Sequence, residues 1–339
     1  MTRSLTLTKP ELSLFSVWLF ILFSSLAITP SHASADWYKQ QRDIMGTRIS
    51  VELWHSDELL ATECGKQVFA EMYRLDELMS PYRPGSEITF INNNASIRTL
   101  EISTEMSYVI DRSLHFSEIS GGAFDITFAS IGYRYDYRNK VKPSDQQIEL
   151  GLPSIDYRHI KLNKNLIRFE NSGVRIDLGG IAKGYAVDRA IQIVKLCGIS
   201  EAMVSAGGDS KILGMKRGKP WTIGIQHPRK DHELALVLPL SDTAISTSGD
   251  YQRFFILDGN RIHHIINPST GKSATQTWSA TVIGPDAMTT DALSTTIFVL
   301  GAKKGITLIE TLENIDAVII DNEGNVHYSS GLREPNKND

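Results

Sequence analysis

The chain has 339 residues, a formal net charge of −4 and 22% charged residues, an ordinary balance for a globular protein and not for a disordered one. That length allows one large domain or two small ones. The small negative charge, with no basic cluster interleaved with aromatics, sets nucleic-acid binding aside.

Arg3 and Lys9 precede an apolar run from Leu12 to Leu26, followed by Pro30 and Ala33-Ser34-Ala35. This order predicts a cleaved secretory signal peptide over 1–35, with the mature chain starting at Asp36 outside the cytoplasm. The alternative is an uncleaved membrane anchor, although the run is short for a span. No cysteine lies near the cleavage site, so a lipoprotein anchor is not expected. The only cysteines, Cys64 and Cys197, fall on apolar stripes of predicted helices and are expected to be small buried hydrophobes, not a disulfide.

Ile44–Trp54 reads as a strand beginning at Met45-Gly46-Thr47. Leu60, Cys64, Val68, Met72, Leu75 and Met79 recur at helical spacing, and the helix stops at Ser80-Pro81, before a turn over Tyr82–Ser86. A second helix is predicted over Thr104–Ile119, ending at Gly121-Gly122, and Tyr133–Asp145 reads as a surface excursion. Leu162–Phe169 and Val174–Leu178 are expected to be paired strands. Gly179–Gly184 leads into a helix through Ala186, Ala190, Val194 and Cys197. Strands follow at 202–205, 221–226, 234–238, 243–246, 253–257 and 262–266. A helix opens at Pro285–Gly301, another lies near Lys304–Leu312, and strands at 317–321 and 326–328 precede a polar tail, 334–339, expected to be disordered. With no repeat or linker, the expectation is one α/β or α+β domain over 36–333.

The stretch Pro285–Gly301 puts Asp286, Thr289, Thr290 and Asp291 in one helical first turn. Asp286 and Thr290, at i and i+4, share a face and can converge on a hard cation such as Mg²⁺. The same residues also read as an N-cap and first-turn filler. Three glycine-bearing turns, Asp177–Gly184, Ala206–Asp209 and Ser246–Asp250, each follow a strand and can present backbone N–H groups to phosphate. The segment Gly179–Gly184 matches neither the P-loop nor the dinucleotide fingerprint. His263 and His264 face opposite sides if they lie on a strand, so one of them at most serves a given site.

Seven motifs in order are similar to the FAD:protein FMN transferase (ApbE) family: MGT at Met45–Thr47, MSPYRPGSEI at Met79–Ile88, GAFDIT at Gly122–Thr127, DLGGIAKGYAVD at Asp177–Asp188, SAGGD at Ser205–Asp209, HHIINPSTG at His263–Gly271, and PDAMTTDALSTTIFVLG at Pro285–Gly301. The resemblance implies a single T-fold-like α+β domain, with largely antiparallel sheets and flanking helices. It implies transfer of the FMN half of FAD to a Thr or Ser hydroxyl of a target protein, releasing AMP. Met45, Tyr82, Ala123, Phe124, Asp125, Asp177, Lys183 and Ile266 would contact FAD. Asp286, Thr290 and the Gly180 carbonyl would hold Mg²⁺, and His264 would take the acceptor proton. Partners would be exported or membrane electron-transport subunits bearing the acceptor, and the enzyme would be a soluble periplasmic one. Two departures stand out: Asn267 where the family has Asp, and ITFASIG after the Phe-Asp pair where the family reads PTVGPL. The rival readings are a Mg-dependent FAD pyrophosphatase and a non-catalytic flavin-binding protein.

Overall fold

A computed structural model describes residues 37–332; the expected signal peptide, 1–35, and tail, 334–339, lie outside the described residues. The chain begins with strands β1 (Trp37–Ile44) and β2 (Thr47–Trp54), then helix α1 (Glu58–Met79), α2 (Glu87–Asn94), β3 (Leu100–Glu101) and α3 (Thr104–Ile119). Short helices α4 (Ala129–Gly132) and α5 (Asp145–Gly151) precede the hairpin β4 (Ile160–Asn163) and β5 (Leu166–Phe169), then α6 (Ala182–Leu196). Strands β6 (Glu201–Ala206), β7 (Asp209–Leu213), β8 (Trp221–Gln226), β9 (Leu234–Leu240) and β10 (Ala244–Gly249) follow. The chain closes with β11 (Phe254–Leu257), β12 (Asn260–His263), β13 (Ile266–Asn267), β14 (Lys272–Ser273), β15 (Thr277–Gly284), α7 (Ala287–Ile309), β16 (Asp316–Asp321) and β17 (Val326–Tyr328).

Eight strands form the main sheet, in the order β1-β2-β6-β7-β10-β15-β16-β17, and every ladder among the described residues is antiparallel. Alternate residues of β2 (Ile49, Val51, Leu53) and β6 (Ala202, Val204, Ala206) are buried, so this half of the sheet has one apolar face. Helices α1, α6 and α7 lie against the sheet. In α7, Leu293, Ile297 and Phe298 have no exposed surface, and each contributes about 1.5–3 kcal/mol by leaving water. Although α7 is long and apolar enough to cross a membrane, its apolar residues are packed into this core.

Four differences from the sequence expectations have physical causes. Strand β1 is largely polar (WYKQQRDI) and lies at the sheet edge, where the apolar alternation that marks a strand is not required. Helix α2 follows the predicted Tyr82–Ser86 turn directly, where no element was expected, because the Ser86 hydroxyl accepts the Thr89 N–H at 3.2 Å as an N-cap. The expected strand Val174–Leu178 pairs with no strand. Asn92 exchanges hydrogen bonds with both backbone groups of Ile176, at 2.7 and 2.9 Å, and the Ser130 hydroxyl accepts from Arg175 at 3.0 Å. The Tyr133–Asp145 excursion is also anchored: Tyr135 is buried and stacks on Tyr137 with ring centroids 5.9 Å apart, and its hydroxyl donates to the Gly271 carbonyl.

The cysteine expectation is overturned. Cys64 in α1 and Cys197, the C-cap of α6, form a disulfide with a Cα–Cα separation of 6.1 Å. The two apolar stripes do face inward, but toward each other, which brings the two sulfurs within bonding reach.

Candidate active site

The site begins where α6 crosses α7. A Cβ on Gly184 would overlap the Ala287 carbonyl and crowd Asp291, so only glycine permits this approach. Asp188, one turn further along α6, accepts the N–H groups of Ala287 and Met288 at 2.9 Å each and thereby caps α7 from outside. Close crossing brings Lys183 to Asp291. Its ammonium donates to Asp209 at 2.6 Å and to both Asp291 oxygens at 3.3 Å, while Asp291 also accepts the Gly184 N–H. Burial alone would lower the Lys183 pKa, but Asp209 and Asp291 outweigh it and hold the lysine charged. Asp291 is raised by burial and by Asp209, against the pull of Lys183. The knot thus sets two buried carboxylates against one cation.

Of the groups predicted to hold a metal, Gly180 lies against Thr295 of α7, whereas Asp286 and Thr290 are engaged in hydrogen bonds to α7 and β10. Asp286 is the N-cap of α7, its carboxylate accepting the Thr289 N–H at 2.8 Å. Thr290 is fully buried, donating to the Ala287 carbonyl at 3.2 Å and sharing a 2.8 Å hydrogen bond with Ser246. The first turn of a helix is also its positive end, a poor place for a divalent cation. One turn deeper, Asp291 and Thr295 repeat the i, i+4 relation, and an ideal Cβ on Gly180 would lie 3.3 Å from the Thr295 hydroxyl oxygen. Among the described residues no group of three or more His, Cys, Asp or Glu side chains could hold a metal ion, so a metal here needs hydroxyl or carbonyl oxygens as well. The periodicity of the stretch fits both pairs, and the packing of α6 brings Asp291 onto Lys183 and the Gly184 N–H.

The three glycine-bearing turns meet. Lys183 of the first reaches Asp209 of the second, and the Gly208 carbonyl accepts the Thr247 N–H of the third at 3.0 Å. Beside them is the β1–β2 turn, where Met45 (φ 55°) and Gly46 (φ 67°) are both left-handed, as a tight hairpin turn demands. Arg253, which sequence reasoning missed, donates to the Gly46 carbonyl at 2.5 Å and accepts the His264 N–H on its own carbonyl. Its charge also acts on Tyr82 and Asp177. Tyr82 is 84% exposed, although burial of its hydroxyl still raises its pKa. Asp177 accepts the Gly179 N–H at 2.6 Å, and its pKa is raised by burial despite that bond.

The strand expected over 262–266 is broken: β12 ends at His263, and His264 lies beyond it, before β13. His263 is buried and satisfied: Nε2 pairs with the Ala274 carbonyl at 2.7 Å, Nδ1 takes the Ile265 N–H at 3.3 Å, and the ring packs edge-on against Phe298. His264 Nδ1 is shut off from solvent without a hydrogen-bond partner among the described residues. Burial, then the charge of Arg253, pushes the His264 pKa down to about 3, so the ring is neutral at physiological pH. Asn267 makes an Asx turn, its side-chain oxygen accepting from the Ser269 N–H and hydroxyl. A carbonyl oxygen does this as well as a carboxylate, so replacing Asp by Asn leaves the turn intact. Ile266 is buried in a small cluster with Ile131, Tyr135 and Ile148.

The Ala123-Phe124-Asp125 segment serves the site from beneath. Phe124 is buried, edge-on to Phe116, with its ring against Gly180. The Asp125 carboxylate is engaged by the Thr127 N–H, the Thr127 hydroxyl and the Tyr157 N–H, at 2.6–2.8 Å. Through these contacts the Phe124 and Asp125 side chains hold the loop in place, and Ala123 is partly buried beside them.

Residues 45–319 match the ApbE family. The chain belongs to the ApbE family. It is 28% identical over 316 residues to the FAD:protein FMN transferase of Treponema pallidum, with 87% of each chain covered. It is 30% identical to the FAD:protein FMN transferase of Haemophilus influenzae over 78% of this chain and 81% of that one. Among solved structures, the ApbE protein of Thermotoga maritima superposes with a TM-score of 0.81 at 33% identity, covering 88% of this chain and all of the other. The flavin transferase ApbE of Vibrio cholerae superposes with a TM-score of 0.79 at 27% identity, covering 88% and 98%. The α+β architecture of this ApbE protein, with its antiparallel sheets, is the one those structures share.

Proposed function

We propose that this protein is a magnesium-dependent, exported FAD:protein FMN transferase. The observation that carries the reading is convergence: Met45, Tyr82, Asp177, Gly180, Lys183, Asp209, Arg253, His264, Asp291 and Thr295, scattered over the sequence, border one site in an ApbE-family fold. In the reaction, an acceptor Thr or Ser oxygen forms a bond to the FMN phosphorus, the bond from that phosphorus to the AMP phosphate oxygen breaks, and the hydroxyl proton passes to a base. His264, neutral and with an unpartnered buried nitrogen, is that base. Alone its basicity is low, and a polyanionic nucleotide beside it would raise it. Asp177 and the N–H groups of the glycine turns orient polar edges of the nucleotide, while the Tyr82 ring covers the flavin.

The residues fit magnesium. Asp291, Thr295 and the backbone at Gly180 are hard oxygen donors, and the excess of carboxylate over ammonium favours an added cation. Magnesium bound there would neutralise pyrophosphate charge as it shifts to the leaving AMP. Export is supported by the signal-like N-terminus and by the Cys64–Cys197 disulfide, since such bonds persist in oxidising compartments. The acceptor is then an exported protein or a membrane electron-transport subunit exposing a Thr or Ser.

Incubation with FAD, Mg²⁺ and a candidate acceptor should give a fluorescent protein band that survives denaturation, and chelation of Mg²⁺ should remove it. Release of FMN and AMP without any labelled acceptor would instead mark a pyrophosphatase.

A further inference from the structure

A nucleotide diphosphate needs cationic partners, and Lys183 is the cation that sequence reasoning supplies. In the structure this ammonium already has anionic partners: it is held by Asp209 at 2.6 Å and Asp291 at 3.3 Å, so the knot as a whole is not electropositive. A divalent cation held by Asp291 and Thr295 would supply part of the positive charge a diphosphate needs, and a further cationic side chain could supply the rest.

Arg253 is a second cation of this site, and its charge acts on Tyr82, Asp177 and His264. It follows β10 and begins the β11–β12 hairpin that ends at His263, next to His264. Its guanidinium contacts no carboxylate within ion-pair distance among the described residues; the hydrogen bond it makes is to the neutral Gly46 carbonyl at 2.5 Å. An ideal Cβ on Gly46 would lie 3.0 Å from the same guanidinium, so the turn presses closely on the side chain. The backbone is fixed as well, because the Arg253 carbonyl accepts the His264 N–H at 3.2 Å. One nitrogen is thus aimed by the Met45–Gly46 turn, the others remain available, and the charge is not neutralised. That is the state of a guanidinium prepared for a phosphate, whose oxygens it can engage in a planar fork.

We propose that Arg253 is a phosphate-binding residue of this site, holding the diphosphate of the nucleotide beside His264. The assignment rests on the flavin-transfer reading, and it gives the β1–β2 turn a function: the Gly46 carbonyl sets the angle of the guanidinium. Arg253→Gln keeps a side chain able to donate to Gly46 but removes the charge, whereas Arg253→Lys keeps the charge without the fork.

The test compares ligands with and without phosphate, using flavin fluorescence and calorimetry on the intact protein. In Arg253→Gln the dissociation constant for FAD should rise at least tenfold, while those for riboflavin and adenosine stay within twofold of wild type. Arg253→Lys should recover part of the loss, and the salt dependence of FAD binding should be shallower in Arg253→Gln. Unchanged FAD affinity in Arg253→Gln would overturn the assignment. So would an equal loss for riboflavin and FAD, which would make Arg253 only a prop for the Met45–Gly46 turn. Wild-type protein that binds no FAD would sink the flavin reading itself, a result distinct from either of these.

Discussion

Removing the Cys64–Cys197 disulfide gives the most direct quantitative test of the fold. The bond joins residues 133 apart in sequence and ties the middle of α1 to the end of α6, the helix whose first turn carries Lys183. Closing a loop of that length restricts the unfolded chain by about 5 kcal/mol in the loop-entropy treatment. Cys64→Ala with Cys197→Ala adds the loss of a small buried sulfur, under about 1.5 kcal/mol. At roughly 2 °C per kcal/mol for a domain of this size, the double variant should melt about 10 °C below the oxidised wild type. Wild type under strong reductant should approach the same value. Circular dichroism melts of the three samples at one pH read the shift, and thiol titration in denaturant without reductant should find none free. Melting within about 2 °C of wild type would show that the bond does not restrain the unfolded chain, and two titratable thiols would show that it is not formed.

The two oxygen pairs on α7 separate by substitution. Thr295→Val should cut FMN transfer by tenfold or more and weaken its Mg²⁺ dependence, whereas Thr290→Val, which loses its bonds to Ser246 and Ala287, should cost about 1–2 kcal/mol of stability and less than threefold in rate. Gly184→Ala should destabilise the protein by about 2 kcal/mol or more, because its methyl group would meet the Ala287 backbone, and urea unfolding reads it. Folding depresses the His264 pKa to about 3 and lowers that of His263 through burial, so both groups stabilise the fold above their unfolded pKa near 6.5. That stability falls as pH drops below about 6.5, by up to about 1.4 kcal/mol per pH unit for each histidine, until the folded pKa is reached. Urea midpoints measured from pH 7 to 4 should show this slope, and His264→Asn should flatten it; an unchanged slope would mean that His264 titrates as it does in the unfolded chain.

Most of the elements were legible along the chain. Helical spacing located α1, α3, α6 and α7, and the break at Gly301 (φ 75°) divides α7 where the sequence divided two helices. The family resemblance implied that Gly180, Lys183 and His264 serve one site, and in the structure the Lys183 charge acts on His264. Local sequence could not locate β1, because an edge strand needs no apolar face, or exclude a ladder for Val174–Leu178, where Asn92 and Ser130 replace the partner strand. It could not choose between Asp286/Thr290 and Asp291/Thr295, since both satisfy the same helical period. It is the glycine-permitted crossing of α6 and α7 that brings Asp291 onto Lys183 and the Gly184 N–H. The same reason holds for Cys64 and Cys197 and for Arg253: periodicity tells which way a residue faces along its own helix or strand, whereas what it faces is a matter of tertiary packing.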